Sequence, residues 1–551
     1  MKDTGEGSKV RETSDISDKV SFSGRTAVLL TLTGLGLGVA VEVLFYGHPP
    51  GISFFLWTAL CVTAVLALSR VIPARISPSV WPSVVAGLFF SLVVFFRQEP
   101  LTVFLAVMLT FFFLAMTVRV FRFGNLERFG WIDLVVTFFW VPIEAWIRPW
   151  PVAGMAWGRT VREQGGSRVF FSVLRGLLLA LPIVVVFLAL LSAADLIFGD
   201  YVARALAWLN LEQLLDWSLR ALVIVVSGLF LLGALTAALR DPGRRRLIGE
   251  DPPIVRPFLG FTETTLVLAL VAVVFLLFVI VQFAYLFGGA ANIHAAGYTY
   301  AEYARRGFGE LVTVAVLALS MVYALAAVTH LTTRGRRTIF FFLCTGIVVF
   351  VGVMLVSAFQ RLVLYEQAYG FSRLRTYTHV AIGWLAVAFV VFLVLLGLRR
   401  LRAMALAALA IATGFTATLA LLNVDAFIVD WNAARYQQNG DLDVDYLVSL
   451  TDDAVPGLVA LVRSVHGEQE EDLLAALSCR RRALVGREAR LRWPSAQASR
   501  SAALAALATI DTELAEYVVF RKPPGPTDPP WAEYRVKTPD GVENCPAWGV
   551  W

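Results

Sequence analysis

Residues 261–287 read FTETTLVLALVAVVFLLFVIVQFAYLF, with one charged side chain, Glu263, close to the start. The hydrocarbon core of a bilayer is about 30 Å thick, and a helix rising about 1.5 Å per residue crosses it in roughly 20 apolar residues. This stretch is long enough and bare enough of charge to do so. Runs of the same kind occupy residues 26–44 and 311–327, and about eleven of them follow one another between residues 26 and 423. The fold class expected is all-α: a polytopic transmembrane helical bundle with a small helical soluble C-terminal tail. The spans fall near residues 26–45, 52–69, 81–96, 101–118, 173–194, 218–239, 260–288, 310–330, 338–359, 379–398 and 401–423.

Composition agrees. Hydrophobic types make up 58% of the 551 residues and mean hydropathy is +0.71, whereas soluble chains carry roughly half apolar residues. The formal charge of +6 does not imply nucleic acid, because membrane proteins hold basic residues in cytoplasmic loops for topological reasons. Arginines do gather in alternate gaps: Arg70 and Arg75; Arg119 to Arg175; Arg240 to Arg256; Arg334, Arg336 and Arg337; Arg399, Arg400 and Arg402. The gap after residue 194 leans acidic, with Asp195, Asp200, Glu212 and Asp216. One parity accounts for nearly all of this: a multi-pass protein of the cytoplasmic membrane, amino terminus inside, carboxyl terminus outside. Residues 1–25 mix opposite charges with almost nothing apolar and are expected to be a disordered cytoplasmic tail. No small-residue cleavage site ends the first run, so the first span is expected to stay as an anchor.

The segment 131–146, WIDLVVTFFWVPIEAW, is apolar but short and carries Asp133, Glu144 and Pro142. Its length argues for a helix lying in the interface rather than a twelfth crossing. Trp140, Trp146, Trp150 and Trp157 fit that reading, since indoles settle at headgroup level. If it crossed, every later loop would change sides. The run GLGLG at 34–38 lies in an apolar span with no following Lys or Ser, so it reads as a helix-packing surface and not a phosphate loop. Pro182 reads as a kink.

Hydrolytic and metal motifs are absent from the sequence: there is no P-loop, zincin, nucleophile-elbow or C-x-x-C pattern. The five histidines show no metal-ligand spacing. No cofactor and no metal are expected, and enzymatic activity is not favoured. Cys61 and Cys344 fall in spans and read as small buried apolar residues. Cys479 and Cys545 fall in the tail, where an outside location would permit a disulfide that two cysteines alone do not establish.

The richest polar clusters fall on loops that the parity puts outside. One contains Glu302, Tyr303, Arg305, Arg306 and Glu310; another contains Arg361, Tyr365, Glu366, Tyr369, Arg373, Arg375, Tyr377 and His379. On helices, Glu302 and Arg306, and Arg361 and Tyr365, share a face. Two readings stand. Both segments are amphipathic interfacial helices with paired charges in water, or Arg305, Arg306, Arg373 and Arg375 hold an anionic group with Glu302 and Glu366 orienting the guanidinium forks. After the last span come Asn423, Asp425, Asp430 and Asn432, then Asp441, Asp443 and Asp445. That D-x-D-x-D lacks the glycine and bidentate glutamate of a calcium loop and reads as a capped helix start.

The segments TYAEYARRGFGEL (299–311), LYEQAYGFSRLRTY (364–377), NVDAFIVDWNAARY (423–436) and LDVDYLVSLTDDAVPGL (442–458) resemble, in that order, a bacterial membrane family catalogued as domain of unknown function four-one-seven-three, related to four-one-five-three. The likeness covers about 170–465. It implies a polytopic helical bundle with a soluble tail and brings no activity. By position it points to Glu302, Tyr303, Ala304, Arg305, Gly307 and Phe308; to Tyr365, Tyr369, Gly370 and Arg375; and to Asn423, Asp425, Asn432 and Arg435. Trp431 stands where that pattern has Tyr, and Asn432 after it is retained.

From residue 424 onward the chain carries 13 Arg and Lys against 19 Asp and Glu, a net of −6 that leaves +12 for the rest. That contrast suits an exported tail. Three periodic apolar stretches predict a helical soluble region over 424–520, followed by an extended tail over 521–551. Three functions are open. The first is a scaffold or signalling partner in the cell envelope, docking another envelope protein. The second is a transporter or flippase for an anionic solute or lipid, and the third an outer-leaflet enzyme using Glu302 or Glu366. Expected partners are the lipid bilayer and either an envelope protein or an anionic lipid.

Overall fold

The computed structural model describes residues 23–72, 76–123, 126, 129–163, 176, 180, 183–184, 186–188, 190–208, 211–239, 257–287, 308–521, 534–539 and 541–545. Nearly all of the tail at 1–25, Pro182, and the motif residues Glu302, Tyr303, Arg305 and Arg306 lie outside these residues. The membrane-region helices are α1 Gly24–Phe45, α2 Ile52–Val71, α3 Val80–Phe96, α4 Pro100–Phe123, α5 Trp131–Ile147, α6 Pro149–Glu163, α7 Leu196–Trp208, α8 Leu211–Leu239, α9 Phe261–Phe287, α10 Phe308–Val328, α11 Arg334–Tyr369, α12 Arg373–Gly397 and α13 Met404–Leu422. Among the described residues nine helices are long and apolar enough to cross a membrane, and α3 is a shorter apolar one. The chain is an all-α, multi-pass integral membrane protein. The span expected at 173–194 is only partly described, and is helical over 190–194.

The chain divides into two compact units. The first holds residues 1–42, 64–74 and 142–241. Here α1 packs closely on α8. A Cβ on Gly34 would lie 2.8 Å from that of Leu232, and one on Gly38 would collide with the Ile224 carbonyl, while Gly36 meets nothing. Two of the three glycines of GLGLG thus allow backbone approach, as small residues do in bilayers. Glycine at 233 likewise admits the Ala145 carbonyl of α5.

The second unit holds residues 43–63, 75–141 and 242–551. Phe340, Ile347, Val351, Met354, Ala358 and Leu362 recur along one face of α11 and form the core that α9, α10 and α12 cover. The sequence predicts a span at 338–359 followed by a separate amphipathic segment; instead α11 is a single helix of 36 residues, about 54 Å long at the usual rise. It exceeds a bilayer core, so its last turns, with Arg361, Tyr365 and Glu366, extend the span rather than lie flat.

Beyond α13 the chain builds a small domain from α14 Val424–Asn439, α15 Val444–Val448, α16 Val455–Val462, α17 Glu468–Glu488, α18 Ala498–Ala508 and α19 Asp511–Leu514. Their apolar faces share a core with Leu458, Leu461, Leu473, Leu477 and Leu507 fully buried. Strands β1 Val518–Arg521, β2 Tyr534–Lys537 and β3 Val542–Asn544 form an antiparallel sheet in that order. Where sequence reading expects an extended end past residue 521, Val536 therefore enters the core. Cys479 and Cys545 form a disulfide that ties β3 to α17.

This domain sits on loops between membrane helices. Ile52 N–H donates to Ala496 O at 2.9 Å, Ser495 Oγ to Pro49 O at 2.8 Å, and Gln98 N–H to Asp453 Oδ2 at 2.7 Å. The turn at 370–372 joins the same face, as described next.

Candidate functional site

Between α11 and α12 the chain reverses in three residues. Gly370 makes this possible: its φ is +74°, a value glycine adopts without penalty, and a Cβ there would collide with Asn432 Oδ1. The second break, at Asn423, also has a left-handed backbone, φ +53°, which Asn tolerates better than most residues. It starts α14 just where Asp425 meets the start of α12.

Asp425 is fully buried. Arg373 grips it with both edges of its fork, Nε to Oδ1 at 2.7 Å and Nη2 to Oδ2 at 2.6 Å. Thr451 adds its N–H at 2.9 Å and its hydroxyl at 2.7 Å to Oδ2. The Arg373 N–H donates to Tyr446 Oη at 2.9 Å. Four donors on one buried carboxylate satisfy it and fix α12, α14 and the loop before α16 together. Two turns of α14 on, Asn432 reads the Phe371 backbone from both sides: its Oδ1 accepts the N–H at 3.0 Å and its Nδ2 donates to the carbonyl at 3.1 Å.

Two arginines cap the carboxyl end of α11, where unpaired carbonyls and the helix dipole favour cations. Arg435 donates to Gln367 O at 3.1 Å and Ala368 O at 2.9 Å, and pairs with Asp441 at 2.9 Å. Arg375 donates to the Tyr369 and Gly370 carbonyls and lies 4.1 Å from the centre of the Tyr365 ring, in cation–π contact. Among the described candidates, Tyr365, Tyr369, Arg373, Arg375, Asn423, Asp425 and Asn432 thus gather around this one junction. Glu366 is there too, but it faces His379 rather than an arginine.

Neighbouring contacts extend the junction. Glu99, 1% exposed, accepts from the backbone of Leu101 and Thr102 at 2.8 Å each and from the Tyr377 hydroxyl, so it caps α4 and tethers α12. In the domain, Arg480 donates to Asp452 Oδ1 at 3.0 Å and Leu450 O at 3.0 Å; burial pushes its pKa down and Asp452 opposes that. Burial raises the Asp453 pKa, against the Gln98 N–H that favours its charged form. Sequence reading missed Glu99 and Asp453. A glutamate three residues before Thr102 in EPLT is a helix-start signal that was available.

Beside the junction lies a cavity of about 670 Å³ walled by Phe359, Phe371, Phe427 and Trp431, with Glu366 and His379 inside it. A second cavity, about 940 Å³, opens at the other ends of α10, α11 and α12 and is lined by His330, Arg334, Arg337 and Arg399. Among the described residues no group of three or more His, Cys, Asp or Glu side chains could hold a metal.

No curated protein and no solved structure matches the chain. The family match falls on the relative of the family that the motifs resemble, and it begins well upstream of residue 170, taking in α3 to α6 as well as the junction. The matched residues, 84–461, are more than half of the chain, which therefore belongs to the family described as Domain of unknown function (DUF4153).

Proposed function

We propose that the protein is an envelope scaffold: a membrane bundle that carries a disulfide-braced helical domain in fixed orientation on its extracytoplasmic end, as a docking platform for another envelope protein. One observation carries the reading. A fully buried aspartate of the domain's first helix is locked by Arg373 of a membrane helix and Thr451 of the domain, an investment in rigidity that a loosely tethered tail would not need.

Sidedness has three supports. Disulfides persist in oxidising compartments, which suits the Cys479–Cys545 bond. In the sequence the arginine-rich gaps alternate with the gaps that hold residues 50, 98 and 371. Finally, the loops near residues 50, 98 and 371 touch one domain, so they share a side, and an even number of crossings must separate residues 99 and 370. Helices α4, α8, α9, α10 and α11 supply five, and the run near 173–194 supplies the sixth if α5 lies in the interface. The 17-residue length of α5, with Pro142 inside it, favours that.

The test is cross-linking in cells from a photoreactive residue placed at Trp493 or Val485, which are 61% and 50% exposed. The reading predicts one discrete envelope partner, lost when Asp425→Ala loosens the domain in a chain that still inserts. No discrete product, or a product indifferent to Asp425, contradicts it.

A further inference from the structure

Glu366 is 3% exposed and lines the aromatic cavity. Its Oε1 lies 3.1 Å from His379 Nδ1 yet accepts no hydrogen bond of normal geometry. A buried carboxylate short of donors is costly. Two guanidiniums stand nearby, Arg435 on the cavity wall, engaged by Gln367, Ala368 and Asp441, and Arg375, engaged by Tyr369, Gly370 and the Tyr365 ring; Glu366 faces His379 rather than either. The cavity thus combines one under-bonded carboxylate and a wall of ring faces. Both attract an organic cation.

We propose that this cavity binds the ammonium end of an amphiphile, a primary amine on a hydrocarbon body. The ammonium donates to Glu366 Oε1 beneath the faces of Phe371, Phe427 and Trp431. The hydrocarbon runs along Val363 and Leu422. A volume of about 670 Å³ suits a headgroup with a short length of chain. Such an amine reaches the cavity either as an aminolipid of the bilayer or as a free alkylamine.

The test uses full-length protein in phosphatidylglycerol nanodiscs, titrated by calorimetry with octylamine, octanol and octanoate, for the wild type and Glu366→Gln. Octylamine should bind the wild type, and Glu366→Gln should weaken it about ten- to hundredfold, the worth of a charge-assisted bond, with octanol unaffected. His379→Gln should retain octylamine. Nanodiscs enriched in phosphatidylethanolamine assign the source: competition with octylamine marks an aminolipid site, and no competition a free-amine site. Equal octylamine binding by wild type and a Glu366→Gln protein of unchanged melting temperature overturns the proposal, as does tighter binding of octanoate than octylamine. Should Glu366→Gln not fold, Trp431→Leu provides the second readout. This half-exposed ring should contribute two- to fivefold, on the order of a cation–π contact, and an unchanged octylamine affinity there overturns the proposal.

Discussion

Removing either partner of the Arg373–Asp425 pair should destabilise the junction, and the two losses should be unequal. Breaking a buried ion pair by deleting one side costs about 3–5 kcal/mol, because the surviving charge stays desolvated. The survivors differ here. After Arg373→Ala, Asp425 keeps only its two bonds from Thr451 in a site with no exposed surface. After Asp425→Ala, Arg373 has a side chain that is 27% exposed and can be hydrated. Arg373→Ala should therefore lie near the upper end, about 4–5 kcal/mol, and Asp425→Ala nearer 3. At roughly 2–4 °C per kcal/mol for a unit of this size, the melting temperature of the full-length protein in nanodiscs should fall by about 8–20 °C and 6–12 °C respectively. The double substitution Arg373→Leu/Asp425→Leu should cost less than Arg373→Ala alone, since no charge is left buried. A larger loss from Asp425→Ala than from Arg373→Ala, or a double variant whose cost is the sum of the singles, would refute the reasoning.

Further outcomes follow from other contacts. Gly370→Ala should cost about 1–3 kcal/mol in the same melts, because alanine is strained at φ +74° and its methyl displaces Asn432. The disulfide closes a separation of 66 residues, so reduction should lower stability by about 2–4 kcal/mol, read as a melting shift in dithiothreitol that Cys479→Ser abolishes. Burial raises the Asp453 pKa above its ordinary 3.8; the folded state then holds the proton more tightly than the unfolded. Its contribution is thus fully present below pH 3.8 and lost as pH rises through the folded value. The stability of wild type relative to Asp453→Asn, whose amide oxygen can still accept from Gln98, should fall over that rise, and a flat difference across pH 3.5–6.5, a range of about three units, contradicts this.

The spans were legible because crossing a bilayer imposes a length and an apolar composition that a single run displays by itself. The junction was legible only as a set of residue types. Asp425 follows Arg373 by 52 positions, and nothing in helical spacing announces that pairing; the left-handed residues Gly370 and Asn423 create it by turning the chain. Of the four arginines in the anion-binding reading, Arg373 is directed at the Asp425 carboxylate and Arg375 at helix-end carbonyls, while Arg305 and Arg306 lie outside the described residues. The end of α11 escaped prediction because its polar residues break the hydropathy signal while tertiary contacts carry the helix onward. The sheet escaped because its first two strands flank the proline-rich PPGPTDPP, where no periodicity develops.

The most direct test of the extracytoplasmic platform is labelling with a membrane-impermeant maleimide. Cys61 and Cys344 are buried and Cys479 and Cys545 are bonded to each other, so single cysteines introduced at exposed Trp493 and Thr332 report cleanly. The account predicts that Trp493→Cys is labelled on intact cells and Thr332→Cys only after lysis; labelling of Thr332→Cys on intact cells with Trp493→Cys protected until lysis would contradict it.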